Sequence, residues 1–265
     1  MIIREITDFL ESIAPLRYQE EYDNSGLIIG DGETEFKGAI ICLDSTPEVV
    51  DECISLGYNL IIAHHPVIFR GLKTINNETY TGKAIIKAIK NNIAVYAIHT
   101  NLDNAFKDGV SAKIAYKLGL KEIELLDPKE KFPGDDNLYG TGIIAYLDNE
   151  MHELNFLSFL KHSLNLKCIK YTRLLGKPVR KIAICGGSCS FLISRAINSG
   201  ADVFISSDFK YHDYFDAENR ILIADIGHYE SEIFTIELIF DKLINNFNNF
   251  AARLTTVVTN PIKYL

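Results

Sequence analysis

At 265 residues the chain is long enough for one large domain or two modest ones, each with its own apolar core, so no disulfide framework is needed to hold it together. With 47% hydrophobic and 23% charged residues it has the composition of a globular protein, and no apolar run approaches the roughly 20 residues that span a bilayer. A net charge of −8 argues against general nucleic-acid binding, which needs a basic surface to meet phosphate.

The first residues, MIIREITDFLESIAPL, interleave Arg4, Glu5, Asp8 and Glu11 with apolar positions and read as an amphipathic helix rather than a signal peptide, so a cytoplasmic location is expected. Gly38–Asp44 reads as a strand, and Thr46–Gly57 as a helix opened by Thr46 and Pro47. A second strand ends in His64 and His65. A helix from Thr81 to Asn91 then leads to a third strand, which ends at His99. Short continuous apolar strands joined by helices predict a mainly parallel sheet covered on both faces.

The stretch Asp127–Asn137 breaks this pattern with Pro128, Pro133, Gly134 and acidic residues, and reads as a linker. Beyond it come a strand at Gly140–Tyr146, a helix near His152–His162 and the strand KCIKYT. Strand KIAICGG, a helix at Ser190–Asn198, strand DVFIS, a helix near Tyr211–Glu218 and strand ILIAD follow. A last helix is expected over His228–Asn246, with a strand around Leu254–Thr259. The expected fold is therefore α/β, with two α/β lobes of mixed sheets covered by helices. Residues 1–126 with 225–265 form the first lobe and residues 127–224 the second. The five cysteines, Cys42, Cys53, Cys168, Cys185 and Cys189, are odd in number and form no CxxC pair, and are expected as reduced thiols.

In open α/β sheets ligands gather beyond the carboxyl ends of the strands, and those ends carry metal-type side chains here. His64 and His65 close one strand just before Pro66, where a strand end lets both rings converge. Another strand runs into His99-Thr-Asn-Leu-Asp103. A third, ILIAD, passes through Gly227 to His228 and Glu232, four apart on one helical face. A structural hydrogen-bond network would also satisfy any one of these histidines alone. Together, so many imidazoles and carboxylates exceed one four-coordinate structural zinc and suit two borderline divalent ions, Zn²⁺, Mn²⁺, Fe²⁺, Co²⁺ or Ni²⁺.

DNSGL at Asp23–Leu27, AHHP at Ala63–Pro66, HTNLD at His99–Asp103 and GHYESE at Gly227–Glu232 resemble, in this order, the motifs of the Ngg-one-interacting-factor-three-like dinuclear metal proteins. Members are commonly labelled GTP cyclohydrolase I type 2 homologs, and the resemblance spans nearly the whole chain. It implies His64, His65, Asp103, His228 and Glu232 as metal ligands, Glu232 as the bridge, and a metal site in the cleft between the lobes. It also implies a toroidal homohexamer. The interval between Leu120 and Lys181 matches the short members, which lack an inserted domain. SSDFKYHD departs from the family pattern by placing Ser207 before Asp208.

His99 is not needed to complete the five ligands and is expected to be catalytic, orienting a ligand or moving a proton. The competing reading is a core histidine bonded to backbone. Asn24, Ser25, Thr100 and Asp208 are expected to line the pocket, although a tight turn permitted by Gly26 also explains Asp23–Ser25. Lys210, His212, His152 and His162 read as solvated surface. Gly186-Gly187-Ser188 lacks both the GxGxxG spacing and the phosphate-loop lysine, which excludes a dinucleotide or nucleoside-triphosphatase site. No Gly-x-Ser-x-Gly elbow occurs either, which leaves water as the nucleophile. The expected function is a metal-dependent hydrolase of a small, nucleotide-like substrate. The rival reading is a non-catalytic metal-binding oligomer that acts as a scaffold, a regulator or a metal carrier.

Overall fold

The computed structural model describes residues 1–134 and 137–265 as two compact units: Met1–Leu102 with Thr235–Pro261, and Asp103–Phe234 with Ile262–Leu265. The first opens with α1 (Ile3–Ile13), which buries Ile3, Ile6 and Leu10, and continues through β1 (Gly26–Ile29) to β2 (Ala39–Cys42). Helix α2 (Pro47–Ser55) starts where Thr46 accepts the Val49 N–H and Pro47 fills the first turn. β3 (Leu60–Ala63), α3 (Tyr80–Lys90), β4 (Ala94–Ala97) and the short α4 (Thr100–Asp103) follow.

Every residue of β2, β3 and β4 is buried, as the continuous apolar runs predict. Ile40, Cys42, Ile61, Ala63 and Val95 pack with Val49, Val50, Ile85 and Ala88 of the two helices. On the alternate positions Tyr96 hydrogen-bonds Glu11 of α1.

The second unit contains α5 (Val110–Lys117), β5 (Lys121–Pro128), β6 (Gly140–His152), α6 (Glu153–Ser163), β7 (Lys170–Tyr171) and β8 (Pro178–Ser188). After these come α7 (Ile193–Asn198), β9 (Val203–Ser207), β10 (Leu222–Asp225) and α8 (His228–Glu232). Its sheet runs β5-β6-β8-β9-β10-β7, with β8, β9 and β10 parallel and the other pairings antiparallel. The two-residue alternation divides its core. Ile182, Ile184, Val203 and Ile205 face α5 and α6, whereas Ala183, Cys185 and Phe204 face α7.

The chain then returns to the first unit through α9 (Phe234–Asn246) and β11 (Ala252–Leu254). β11 pairs in parallel with β2 and completes the order β1-β4-β3-β2-β11, in which only the β1–β4 pairing is antiparallel. Glu52 of α2 clasps the following turn, accepting from the Thr255 hydroxyl and from the amide and hydroxyl of Thr256.

The units change at 102/103 and 234/235, whereas the sequence expectation placed the crossings at 126/127 and 224/225. The first difference arises because β5 is a strand of the second sheet, paired with β6. The expected linker therefore joins two neighbouring strands of one unit, and its Asp135 and Asp136 lie outside the described residues. The second arises because α8 stays with the second unit, held by the Gly187 N–H donating to Ser231 Oγ. The expected helix at Tyr211–Glu218 is a 3₁₀ turn, Asp213–Ala217, and the last helix is broken between α8 and α9.

Candidate functional site

In the first unit, two neighbouring strand ends bring three imidazoles together. His64 and His65 extend β3 by donating their backbone N–H groups to Cys42 and Leu43 carbonyls, and His99 follows β4 by two residues. The ligand nitrogens of His64, His65 and His99 all lie within 4.8 Å of one another. The ring centroids are 5.0 to 5.4 Å apart.

Each ring is oriented through Nδ1. His64 Nδ1 donates to the Ile98 carbonyl (2.8 Å), His65 Nδ1 to Asp44 Oδ1 (2.9 Å) and His99 Nδ1 to Asp23 Oδ1 (2.7 Å). A carbonyl or carboxylate oxygen can only accept, so Nδ1 carries the proton and Nε2 is the nitrogen with a lone pair to offer. Asp44 is itself held by the Thr259 hydroxyl.

Asp23 organises the loop before β1. Its side chain is fully buried and accepts from His99, from the Asn24 and Thr100 amides, and from the Thr100 and Ser25 hydroxyls. Burial opposes its charge, but His99 and these donors outweigh that and hold the carboxyl far below its ordinary range. Of the expected pocket residues, Ser25 and Thr100 belong to this network. Asn24 is exposed and ties the loop after β3 by donating to the Ile68 carbonyl.

In the second unit, α8 carries His228 and Glu232. His228 Nδ1 donates to Asp208 Oδ2 (2.7 Å), and Nε2 lies 3.0 Å from Glu232 Oε2 as an ion pair. Burial opposes charge on this ring, but hydrogen bonds to Asp208 and Glu232 prevail and push its pKa up to about 11. The metal-free ring is therefore an imidazolium. Its hydrogen bond in turn lowers the Asp208 carboxyl. Glu232, 2% exposed, lies against Gly187, where a Cβ would sit 2.4 Å from Oε1. Ser206 and Ser207 fix that glycine by donating to its carbonyl.

Asp103, half-buried, is the last residue of α4. Cys185 and Cys189, expected as reduced thiols, are instead joined as a disulfide. The turn after β8 brings their Cα atoms to 6.1 Å, within the range a disulfide spans. Lys210, His212, His152 and His162 are exposed, as expected of surface residues.

Asp44, Asp23 and Gly187 were not singled out for these roles. Asp44 was within reach of the same rule that found the histidines, since it follows the carboxyl end of β2. The imidazole and carboxylate donors fit a borderline divalent cation such as Zn²⁺, Mn²⁺, Fe²⁺, Co²⁺ or Ni²⁺.

Two mixed α/β units, each presenting imidazoles and carboxylates beyond its strand ends, define a protein with metal-binding potential. The chain belongs to the Duf34/NIF3 (NGG1p interacting factor 3) family, whose model matches residues 1–262. It is 37% identical over 233 residues to a Clostridium perfringens protein named GTP cyclohydrolase 1 type 2 homolog, covering 88% of this chain and 87% of that one. A Campylobacter jejuni protein of the same name is 33% identical over the full length of both chains. Among solved structures, Staphylococcus aureus protein SA1388 matches with a TM-score of 0.90 and 30% identity, over 100% of this chain and 99% of that one. A Bacillus cereus protein related to NIF3 matches with the same TM-score and coverage at 28% identity. Among the described residues no helix is long and apolar enough to cross a membrane.

Proposed function

We propose that this chain is a divalent-metal-dependent hydrolase in which His64, His65, Asp103, His228 and Glu232 hold two ions, Glu232 bridges them, and the substrate is small and nucleotide-like. The observation that carries the reading is the set of three neighbouring imidazoles in the first unit, each with Nδ1 committed to an oxygen, which leaves Nε2 of His64 and His65 to bind an ion and Nε2 of His99 to handle a proton. The name shared by the relatives supports the nucleotide-like substrate. When bound, such ions supply Lewis acidity toward water and substrate oxygens.

The chain's own residues do the rest. Asp44 and the Ile98 carbonyl keep His65 and His64 in the tautomer that leaves Nε2 basic. His99, fixed by buried Asp23, holds and transfers the proton needed by the leaving group. Ser25 Oγ accepts the His99 backbone N–H and sets where that ring emerges from β4. We further propose that the protein works in the cytoplasm as a homohexamer, which light scattering tests directly.

Elemental analysis of wild type and His65→Ala, purified alike, should give about two ions per chain falling to one or none. A screen for hydrolysis of nucleotides should then find a turnover that His99→Ala abolishes while metal content stays unchanged. Loss of metal in His99→Ala would make His99 a ligand. Full metal content with no turnover on any nucleotide would favour the non-catalytic reading.

A further inference from the structure

The second unit holds a cavity of about 450 Å³ built from none of the metal-type residues, a size ordinary for a small-molecule site. One wall is β7 with the two residues after it, and the other is the segment around the 3₁₀ turn Asp213–Ala217. Three large rings line it while remaining open to solvent: Tyr171 is 48% exposed, Tyr211 74% and Phe215 63%. Tyr211 and Phe215 meet edge to face at 5.5 Å, so one presents its face where the other presents its rim. Aromatic rings left exposed around a concavity are characteristic of a binding surface.

Charge decides what kind of ring the cavity suits. Lys170 is neutralised by the buried Asp225, 2.6 Å away, and Glu218 is paired with Arg220. Arg173 differs: among the described residues its guanidinium reaches one polar partner, the neutral Asn219 Oδ1, at 3.1 Å. An arginine not matched by a carboxylate at an aromatic mouth recognises a planar anion in two ways, by a forked pair of hydrogen bonds and by stacking.

We infer that this cavity binds a planar aromatic ring bearing one anionic group, with the ring against Tyr171, Tyr211 and Phe215 and the anion on Arg173. Its far wall is linked to α8. Asp225 accepts from Lys170 and from the Tyr214 hydroxyl, and also from the Gly227 N–H immediately before His228.

The full chain is titrated calorimetrically with 1-naphthoate, with 1-naphthalenemethanol (ring without charge) and with cyclohexanecarboxylate (charge without a flat ring). The expected result is saturable 1-naphthoate binding tighter than about 1 mM, with both comparison compounds at least tenfold weaker. Arg173→Gln and Tyr211→Ala, both at exposed positions, should each weaken 1-naphthoate roughly tenfold with an unchanged unfolding midpoint. Absence of saturable binding, or binding indifferent to both substitutions, would overturn the inference. So would a change in molar mass on Tyr211→Ala, which would make these rings a contact between copies of the chain.

Discussion

Gly187→Ala tests the packing around Glu232 most directly, because the structure supplies its own control. Gly187 has φ +71° and a Cβ there would lie 2.4 Å from Glu232 Oε1, whereas Gly200 has φ +76° with nothing within 4 Å. Both lie in the second unit. Gly200→Ala should therefore cost only the left-handed backbone penalty, about 1 to 2 kcal/mol. Gly187→Ala carries the same penalty and must also push the Glu232 carboxylate back by about 1 Å to reach ordinary contact.

Glu232 is 2% exposed, and its carboxylate forms an ion pair with His228 Nε2 at 3.0 Å. Weakening that charged contact adds about 1.5 to 3 kcal/mol, which brings the total to about 2.5 to 5 kcal/mol. Urea unfolding of chelator-treated protein measures both variants, and elemental analysis measures their metal. The expected pattern is a larger loss of stability in Gly187→Ala, with metal content reduced in that variant alone. Equal stability losses with undiminished metal in both would refute the assignment of Glu232 as a ligand seated against Gly187.

Asp44→Ala should leave the fold intact and weaken metal binding by about 10 to 100-fold, because His65 loses the oxygen that fixes its tautomer. Competition with a chromophoric chelator reads this, and unchanged affinity would exclude His65 as a ligand. Asp23 has a depressed folded pKa, so its stabilising contribution is present above roughly pH 4 and is lost as pH falls through the folded value. Asp23→Asn should therefore lower the unfolding midpoint near neutrality and flatten its acid dependence. A parallel downward shift at every pH would contradict this. In metal-free protein the His228 ring should stay charged until about pH 11, and Asp208→Asn should lower that midpoint, both followed by NMR of the ring protons. A wild-type titration near the ordinary histidine value would show that Asp208 and Glu232 do not hold the ring as described.

Several parts of this arrangement were legible because they depend on neighbours in the chain. Buried strands announce themselves as apolar runs, Thr46-Pro47 marks a helix start, and His228 and Glu232 declare a common face by their spacing. The partners that orient the rings are not local. Asp23 and His99 are 76 residues apart, and Asp44 meets Thr259 across 215. No periodicity records such a pairing, so Asp23 reads as part of a turn although it is a buried anion. β5 was missed because exposed and buried residues mix along it, and its closing proline suggests a break. The disulfide escaped because a spacing of four matches no redox motif, and only the turn after β8 brings the two sulfurs together.

The placing of the second unit's whole sheet between the strands of the first sets an order in which the two sheets can close during synthesis. All six strands of the second sheet leave the ribosome while the first sheet still lacks β11 and the second unit's last four residues, Ile262–Leu265, are yet to come, and Glu52 waits for partners 203 and 204 residues downstream. At about 5 to 20 residues per second that wait is roughly 10 to 40 s. Throughout it, the buried strand β2 is an unpaired apolar edge, the kind of surface to which another nascent chain can add. The second sheet can therefore close before the first, and the short segment after α9 does more than extend a sheet: it covers an apolar edge that would otherwise stay open to other chains.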